Sequence, residues 1–462
     1  MELQINGAAQ TVTGSCHLIT LENNFKILLD CGLYQGTEEQ FEDFNSQWYF
    51  DPKEIDVLIL SHAHIDHCGR IPKLVKDGFK GAIYCTSATR DLAVIMLLDS
   101  AQIQESDAEY ETKKFGKYKK PLYSVIDAKN CFKYFRCVEY NNWFSIQENV
   151  QILFADAGHI LGSASVTLKI KEKEQETTIG FTGDVGRYHR LILNDPVAMP
   201  PLDYLISEST YGGKTHDESP EKTDRLLQII NKTCVEKGGK LIIPSFSLGR
   251  TQELLYKLDK LYNSGNLSNI PVYVDSPLAM SATQIYLMHP ECYDDEIHSY
   301  MRKDDNPFGW NTMHYTKNPE ESKALNTSEE PCIIIAASGM ANAGRIKHHL
   351  FHQLSHPNNT ILIVGYCAEG TLGKQLVDNA KSVRIFHQDI EVLADVEVMN
   401  SMSAHADEPE LLRFISNQHP QKLKKIFLVH GELKNQEAYR ATLFTKGYTD
   451  VEIPSLGQSY QL

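Results

Sequence analysis

Residues 62 to 67 read HAHIDH, and they follow the apolar run IDVLIL (55 to 60) with one serine between. His62, His64, Asp66 and His67 are too tightly spaced for one helix face, where partners recur at three or four residues. The stretch is therefore read as a loop leaving a buried strand, fanning its side chains towards two neighbouring points. Imidazole and carboxylate are the ligands of zinc and related divalent ions. Four ligands begin two such sites and finish neither, so the fold must bring further strand ends to this one.

A chain of 462 residues exceeds one ordinary core and points to two or three domains. A hydrophobic share of 42% and a charged share of 23% describe a globular protein. The formal charge of -15 excludes a chain-wide basic field, so nucleic acid would have to be held by local clusters or bound cations. Ten cysteines without a CxxC pair read as reduced thiols. The start, MELQINGAAQTVTGS, has neither a basic nor an apolar leader region, and no apolar run reaches membrane-spanning length. A cytoplasmic protein with no membrane partner is expected.

Residues 1 to 208 give short β-type runs, among them HLITL, FKILLDCG, VLILSH, VQILFADAGH and TTIGFTGD. One helical stretch interrupts them, from about Ala88 to Lys114. Its tail, KKFGKYKK (113 to 120), interleaves lysine with aromatics, which suits either a phosphate backbone or a solvated helix end. From 209 to 396 strands and helices alternate regularly, which predicts a doubly wound parallel α/β domain. Residues 397 to 462 return to the first style, so the α/β unit is read as an insertion into an older fold.

Candidates to complete the metal sites lie at other strand ends: His159 in ADAGHILGS, Asp184 in FTGDVGR and His430 in FLVHGE. Taken singly each also reads as a turn or capping residue. Two glycine-rich strand-to-helix turns suit an anion: SFSLGRT, with Ser247, Gly249 and Arg250, and ASGMANAGR, with Ser338, Gly339, Arg345 and Lys347. Phosphate binding and plain turn geometry stay equally open for both.

HxHxDH followed by a Gly-His, a Thr-Gly-Asp and a terminal His resembles the metallo-β-lactamase superfamily, an αββα sandwich with a dinuclear metal site. ISESTYGG with Glu208, SMSAHAD with His405 and LVHGE with His430 resemble the three added motifs of its β-CASP branch, and SFSLGRTQELL and AASGMANAGR resemble the inserted domain. The resemblance covers nearly the whole chain. The nearest group within the branch is that of the cleavage and polyadenylation nuclease subunit and its bacterial and archaeal relatives.

The resemblance implies that His62, His64 and His159 hold one ion, Asp66, His67 and His430 the other, and that Asp184 bridges them. It implies two zinc ions, with manganese as the alternative. His430, where the DNA-processing members typically carry valine, implies RNA, and the architecture implies a single-stranded substrate.

The expected reaction is hydrolysis, by endonuclease action, 5′-exonuclease action or both, leaving 5′-phosphate and 3′-hydroxyl ends. His405 would donate the leaving-group proton and Glu208 would orient it. Asp30 would accept a ligand histidine's second N–H. His405 also reads as a helix cap, and Asp30 as a turn aspartate. A small-molecule metallohydrolase and a non-catalytic RNA-binding subunit remain alternatives, and a homodimer is one assembly the relatives imply.

Overall fold

The computed structural model describes residues 1–36, 44–116, 120–216, 223–267, 269–365, 367, 370–399 and 403–462. Its chain divides into two compact units. The first comprises Met1–His189, Asn194–Thr215 and His405–Leu462, and the second Arg190–Leu193 and His216–Ala404.

Two seven-stranded mixed sheets make the first unit. One runs, edge to edge, Ser459–Gln461, Glu2–Ile5, His17–Thr20, Lys26–Leu29, Val57–Ile59, Ala82–Cys85 and Phe135–Cys137. The other runs Val451–Glu452, Lys425–Val429, Tyr204–Glu208, Gln175–Phe181, Ala164–Glu172, Val150–Asp156 and Phe144–Gln147. One apolar layer joins them: Leu3, Ile27, Leu29 and Ile59 from the first meet Phe154, Val166, Phe181, Ile206, Phe427 and Val429 from the second.

Successive residues of a strand face opposite ways, so Leu205, Ile426 and Leu428 point outward from the second sheet. They are covered by Leu411 and Phe414 of the helix Glu408–Phe414 and by Tyr439 and Leu443 of the helix Leu433–Thr445. Burial on both faces explains why the run KIFLV is continuously apolar after its lysine.

The second unit carries a six-stranded sheet, all parallel, in the order Met313–Tyr315, Val272–Asp275, Ile333–Ala336, Leu241–Pro244, Thr360–Ile363, Asp395–Val398. From Leu241–Pro244 the chain moves towards one edge, then after Met313–Tyr315 reverses towards the other. With right-handed crossovers, that reversal puts helices on both faces, which is double winding.

The unit borders fall a few residues beyond 208 and 396. After Glu208 the turn stays tied to the first unit, where the Gly213 amide donates to Glu408 Oε2 (2.6 Å) and the Glu408 amide to the Lys214 carbonyl (3.1 Å). At the other border Asp395–Val398 is the last strand of the parallel sheet, so the second unit continues past residue 396. The short return of Arg190–Leu193 is held there by the Asp294 amide, 2.9 Å from the Ile192 carbonyl.

The long helix spans Ser87–Phe115, capped by the Thr86 hydroxyl and closed by Gly116 at φ 67°. Of KKFGKYKK, residues 117–119 lie outside the described residues. All ten cysteines are free and only Cys137 is exposed. No helix among the described residues is long and apolar enough to cross a membrane.

Phe427 is fully buried between the sheets. Phe427→Ala is expected to cost about 3–5 kcal/mol, read as a lowered denaturant midpoint for the first unit.

Candidate metal centre

The functional residues sit where strands of both sheets end. Lys26–Leu29 runs into Asp30, Val57–Ile59 into Ser61 and His62, Val150–Asp156 into His159, Gln175–Phe181 into Asp184, and Lys425–Val429 into His430. Two of these residues turn the chain through the left-handed region, Asp30 at φ 57° and His430 at φ 50°. Non-glycine residues rarely hold that conformation, and where they do they cluster at functional sites.

HAHIDH is half extended and half helical rather than a plain loop. His62 and His64 lie two apart in extended chain and share a side, and the chain then enters the short helix Ile65–Cys68, which swings Asp66 and His67 elsewhere. Gly32 makes room for this turn, since a Cβ there would stand 1.6 Å from the Asp66 carbonyl oxygen.

Three overlapping groups of side chains stand close enough to hold an ion: His62, His64, His159 and Asp184; Asp66, His67 and His430; and Asp184, Glu208, His405 and His430. In the first, His64 Nδ1 lies 3.1 Å from both His62 Nε2 and His159 Nε2. Asp184 Oδ2 stands 3.4 Å from His62 Nε2 and 3.5 Å from His159 Nε2. In the second, His430 Nε2 lies 3.2 Å from His67 Nε2 and 3.4 Å from Asp66 Oδ2. Asp184 turns its other oxygen, Oδ1, to this group, 3.3 Å from His67 Nε2. Ligand atoms about 2.0–2.1 Å from one tetrahedral ion lie roughly 3.4 Å apart, so these two groups fit a divalent cation. Asp184 Oδ1 is buried without a hydrogen bond, as a metal ligand would be.

Electrostatics in the first group agree with ligation. Burial, and then the neighbouring His67, push His62 down to about 4. Burial pushes His64 to about 4 as well and His159 well below its ordinary value, so all three present neutral lone pairs. Burial opposes charge on Asp184, but the imidazoles of His430, His67 and His62 outweigh it and hold the carboxyl well below the usual range.

Asp30 lies directly beneath, fully buried. It accepts from His67 Nδ1 at 2.6 Å and from the amide and hydroxyl of Ser61, both at 2.8 Å. Beside the metal groups, His405 Nδ1 stands 3.3 Å from Glu208 Oε2 and 3.9 Å from Asp184 Oδ2. Glu208 is fully buried and also accepts from the Val185 amide at 2.6 Å. The cap of the following helix is Asp407, in a reciprocal box with Glu410, which leaves His405 free of that duty.

Three family models match this chain in succession: the metallo-beta-lactamase superfamily over residues 10–213, the Beta-Casp domain over 251–376, and the Zn-dependent metallo-hydrolase RNA specificity domain over 389–454. A ribonuclease of Thermus thermophilus is 34% identical, with 98% of each chain covered. The chain belongs to the metallo-beta-lactamase superfamily, in its Beta-Casp branch.

An RNase J-like protein of Methanocaldococcus jannaschii is 33% identical across 96% of this chain and 95% of its own. The transcription termination factor FttA of the same organism is 34% identical across 92% of this chain, which covers 66% of its length. A crystal structure of an Enterococcus faecalis protein of unknown function, 10% identical, covers 100% of this chain at a TM-score of 0.51 and shares the fold alone.

In the Beta-Casp unit the candidate phosphate residues lie at two strand-to-helix turns, among other polar partners. Arg250 is buried and its guanidinium is paired with Glu253, which also binds Arg190. Arg345 is held 2.6 Å from Asp275 Oδ1. Ser247 is buried against the Ser276 hydroxyl at 3.0 Å, and Gly249, at φ 79°, opens the helix Arg250–Asn263. Ser338 faces the Ala343 amide, Gly339 packs under Phe246, and Lys347 lies over the Phe386 ring. The sequence reading missed Ser61 and Thr210, whose only signal is adjacency to His62 and Glu208.

Asp184→Ala is expected to strip the protein of bound divalent metal while the helices and sheets persist, checked by elemental analysis beside circular dichroism. A second prediction concerns Asp156, three residues before His159. Burial pushes its carboxyl up to about 7, against a donated Gly158 amide. The folded state therefore keeps a proton that the unfolded state has released, and stability falls as pH rises from about 4 to 7. Asp156→Asn is expected to flatten that slope, a difference of up to about 4 kcal/mol at pH 8, measured by denaturant melts across pH.

Proposed function

We propose that this protein is a metal-dependent ribonuclease that hydrolyses single-stranded RNA with two zinc ions, leaving 5′-phosphate and 3′-hydroxyl ends. What carries the reading is the His405–Glu208 pair beside Asp184, whose two oxygens face His62 and His159 on one side and His67 on the other. The names of the relatives, a ribonuclease and an RNase J-like protein, and the RNA specificity model over residues 389–454 support RNA as the substrate.

His62, His64, His159 and Asp184 would hold one ion, and Asp66, His67, His430 and Asp184 the other. Divalent ions bound there supply a nucleophile at neutral pH and neutralise charge on the phosphodiester. The chain's own part is to supply the proton. Burial works against charge on His405, but the carboxylates of Glu208 and then Asp184 outweigh it and hold its pKa above the ordinary value. With Nδ1 turned to Glu208, Nε2 is the donor face, and it protonates the leaving 3′ oxygen. Glu208 orients the ring and keeps it charged, and Asp30 fixes His67 with its Nε2 towards the ions.

The test is cleavage of 5′-labelled RNA against matched DNA and a chromogenic ester. Cleaved RNA with 5′-phosphate ends is expected; ester turnover with intact RNA would overturn the reading. His405→Ala should lower kcat on RNA by about 10²–10⁴-fold with metal content unchanged. Glu208→Gln removes the charge that raises the His405 pKa, so the alkaline limb of the pH–rate profile is expected to move to lower pH.

A further inference from the structure

In each ligand group one histidine has its outer nitrogen against a hydroxyl. In the first group His62 Nδ1 is 3.0 Å from Ser61 Oγ. In the second His430 Nδ1 is 3.1 Å from Thr210 Oγ1. A hydroxyl could donate to such a nitrogen or accept from it, and the two choices give opposite tautomers.

The partners behind the hydroxyls decide. Ser61 Oγ stands 2.8 Å from Asp30 Oδ2, and Thr210 Oγ1 stands 2.6 Å from Glu208 Oε2. A carboxylate only accepts, and a charge-assisted bond outcompetes a neutral one, so each hydroxyl spends its single proton on the carboxylate. The His430 carbonyl, 3.1 Å from Thr210 Oγ1, is a longer and uncharged rival. With the proton so committed, each oxygen can only accept from the imidazole. His430 Nδ1 also lies 3.4 Å from Asp184 Oδ1, a carboxylate oxygen with no proton to give.

We propose that Ser61 and Thr210 are positioning residues that lock His62 and His430 as Nδ1–H tautomers, each by relaying a buried carboxylate's acceptor character through one hydroxyl. The Nε2 lone pairs are thereby presented to the ions, one hydroxyl serving each group. Thr210 has a second consequence, because Glu208 is also the partner of His405. One carboxylate sets both the proton donor and a ligand of the second group.

The inference rests on the reading of this site as a metal centre but is measured apart from catalysis. In metal-loaded protein with ¹⁵N-labelled histidine, His430 is expected to be Nδ1–H in the wild type and in Thr210→Ser, and to lose that single form in Thr210→Val. Competition with a chelator is expected to show Thr210→Val weakening one ion's binding about 10–100-fold while the other is held, Ser61→Ala weakening the other, and Thr210→Ser binding both as the wild type does.

Unchanged affinities in Thr210→Val, equal weakening of both ions, or a Thr210→Ser protein as impaired as Thr210→Val would each overturn the inference. Equal weakening is also what a misfolded variant would give, so the unaffected ion serves as the internal control. A wild type that takes up one ion would instead overturn the two-ion reading, and the His430 tautomer would still decide the role of Thr210.

Discussion

A single buried carboxylate organises this centre. Asp184 turns one oxygen to His62 and His159 and the other to His67 and His430, with all four imidazoles within 3.5 Å. Removing a carboxylate from water is costly unless positive charge meets it, and a removed partner leaves the charge uncompensated. The surrounding histidines meet part of that charge, and a divalent cation held there would meet the rest. The centre draws on strand ends from both sheets, because no single strand end carries enough ligands.

The sandwich supplies the stiffness this demands. Phe427 and Val429 pack into the layer between the sheets just before the chain turns through the left-handed region at His430. Leu28 and Leu29 are fully buried just before the same turn at Asp30. Beneath the ligands, Asp30 bonds Ser61 and His67, and Glu208 bonds Thr210 and His405.

Much of this was legible as residues. HAHIDH after an apolar run read as candidate ligands, and His159, Asp184 and His430 each stood at a strand end beside glycine; the structure brings all of them within reach of one another. Glu208 and His405 carried no signal from spacing, being 197 residues apart, and needed the family resemblance. The arginines were open in the sequence. A glycine-rich turn followed by arginine reads the same whether the guanidinium faces solvent or a buried carboxylate, and Glu253 and Asp275 took Arg250 and Arg345.

The sequence by itself determined the kinds of atoms available and the strands that end in them, because ligand chemistry and hydrophobic periodicity are local properties. Only the tertiary structure decided how those atoms divide. It split HAHIDH between two groups by turning the chain into a short helix, gave one oxygen of Asp184 to each, and set Thr210 between Glu208 and His430. Distances of 3 Å between residues hundreds of positions apart follow from strand register and sheet packing, and neither is written in any one stretch of the chain.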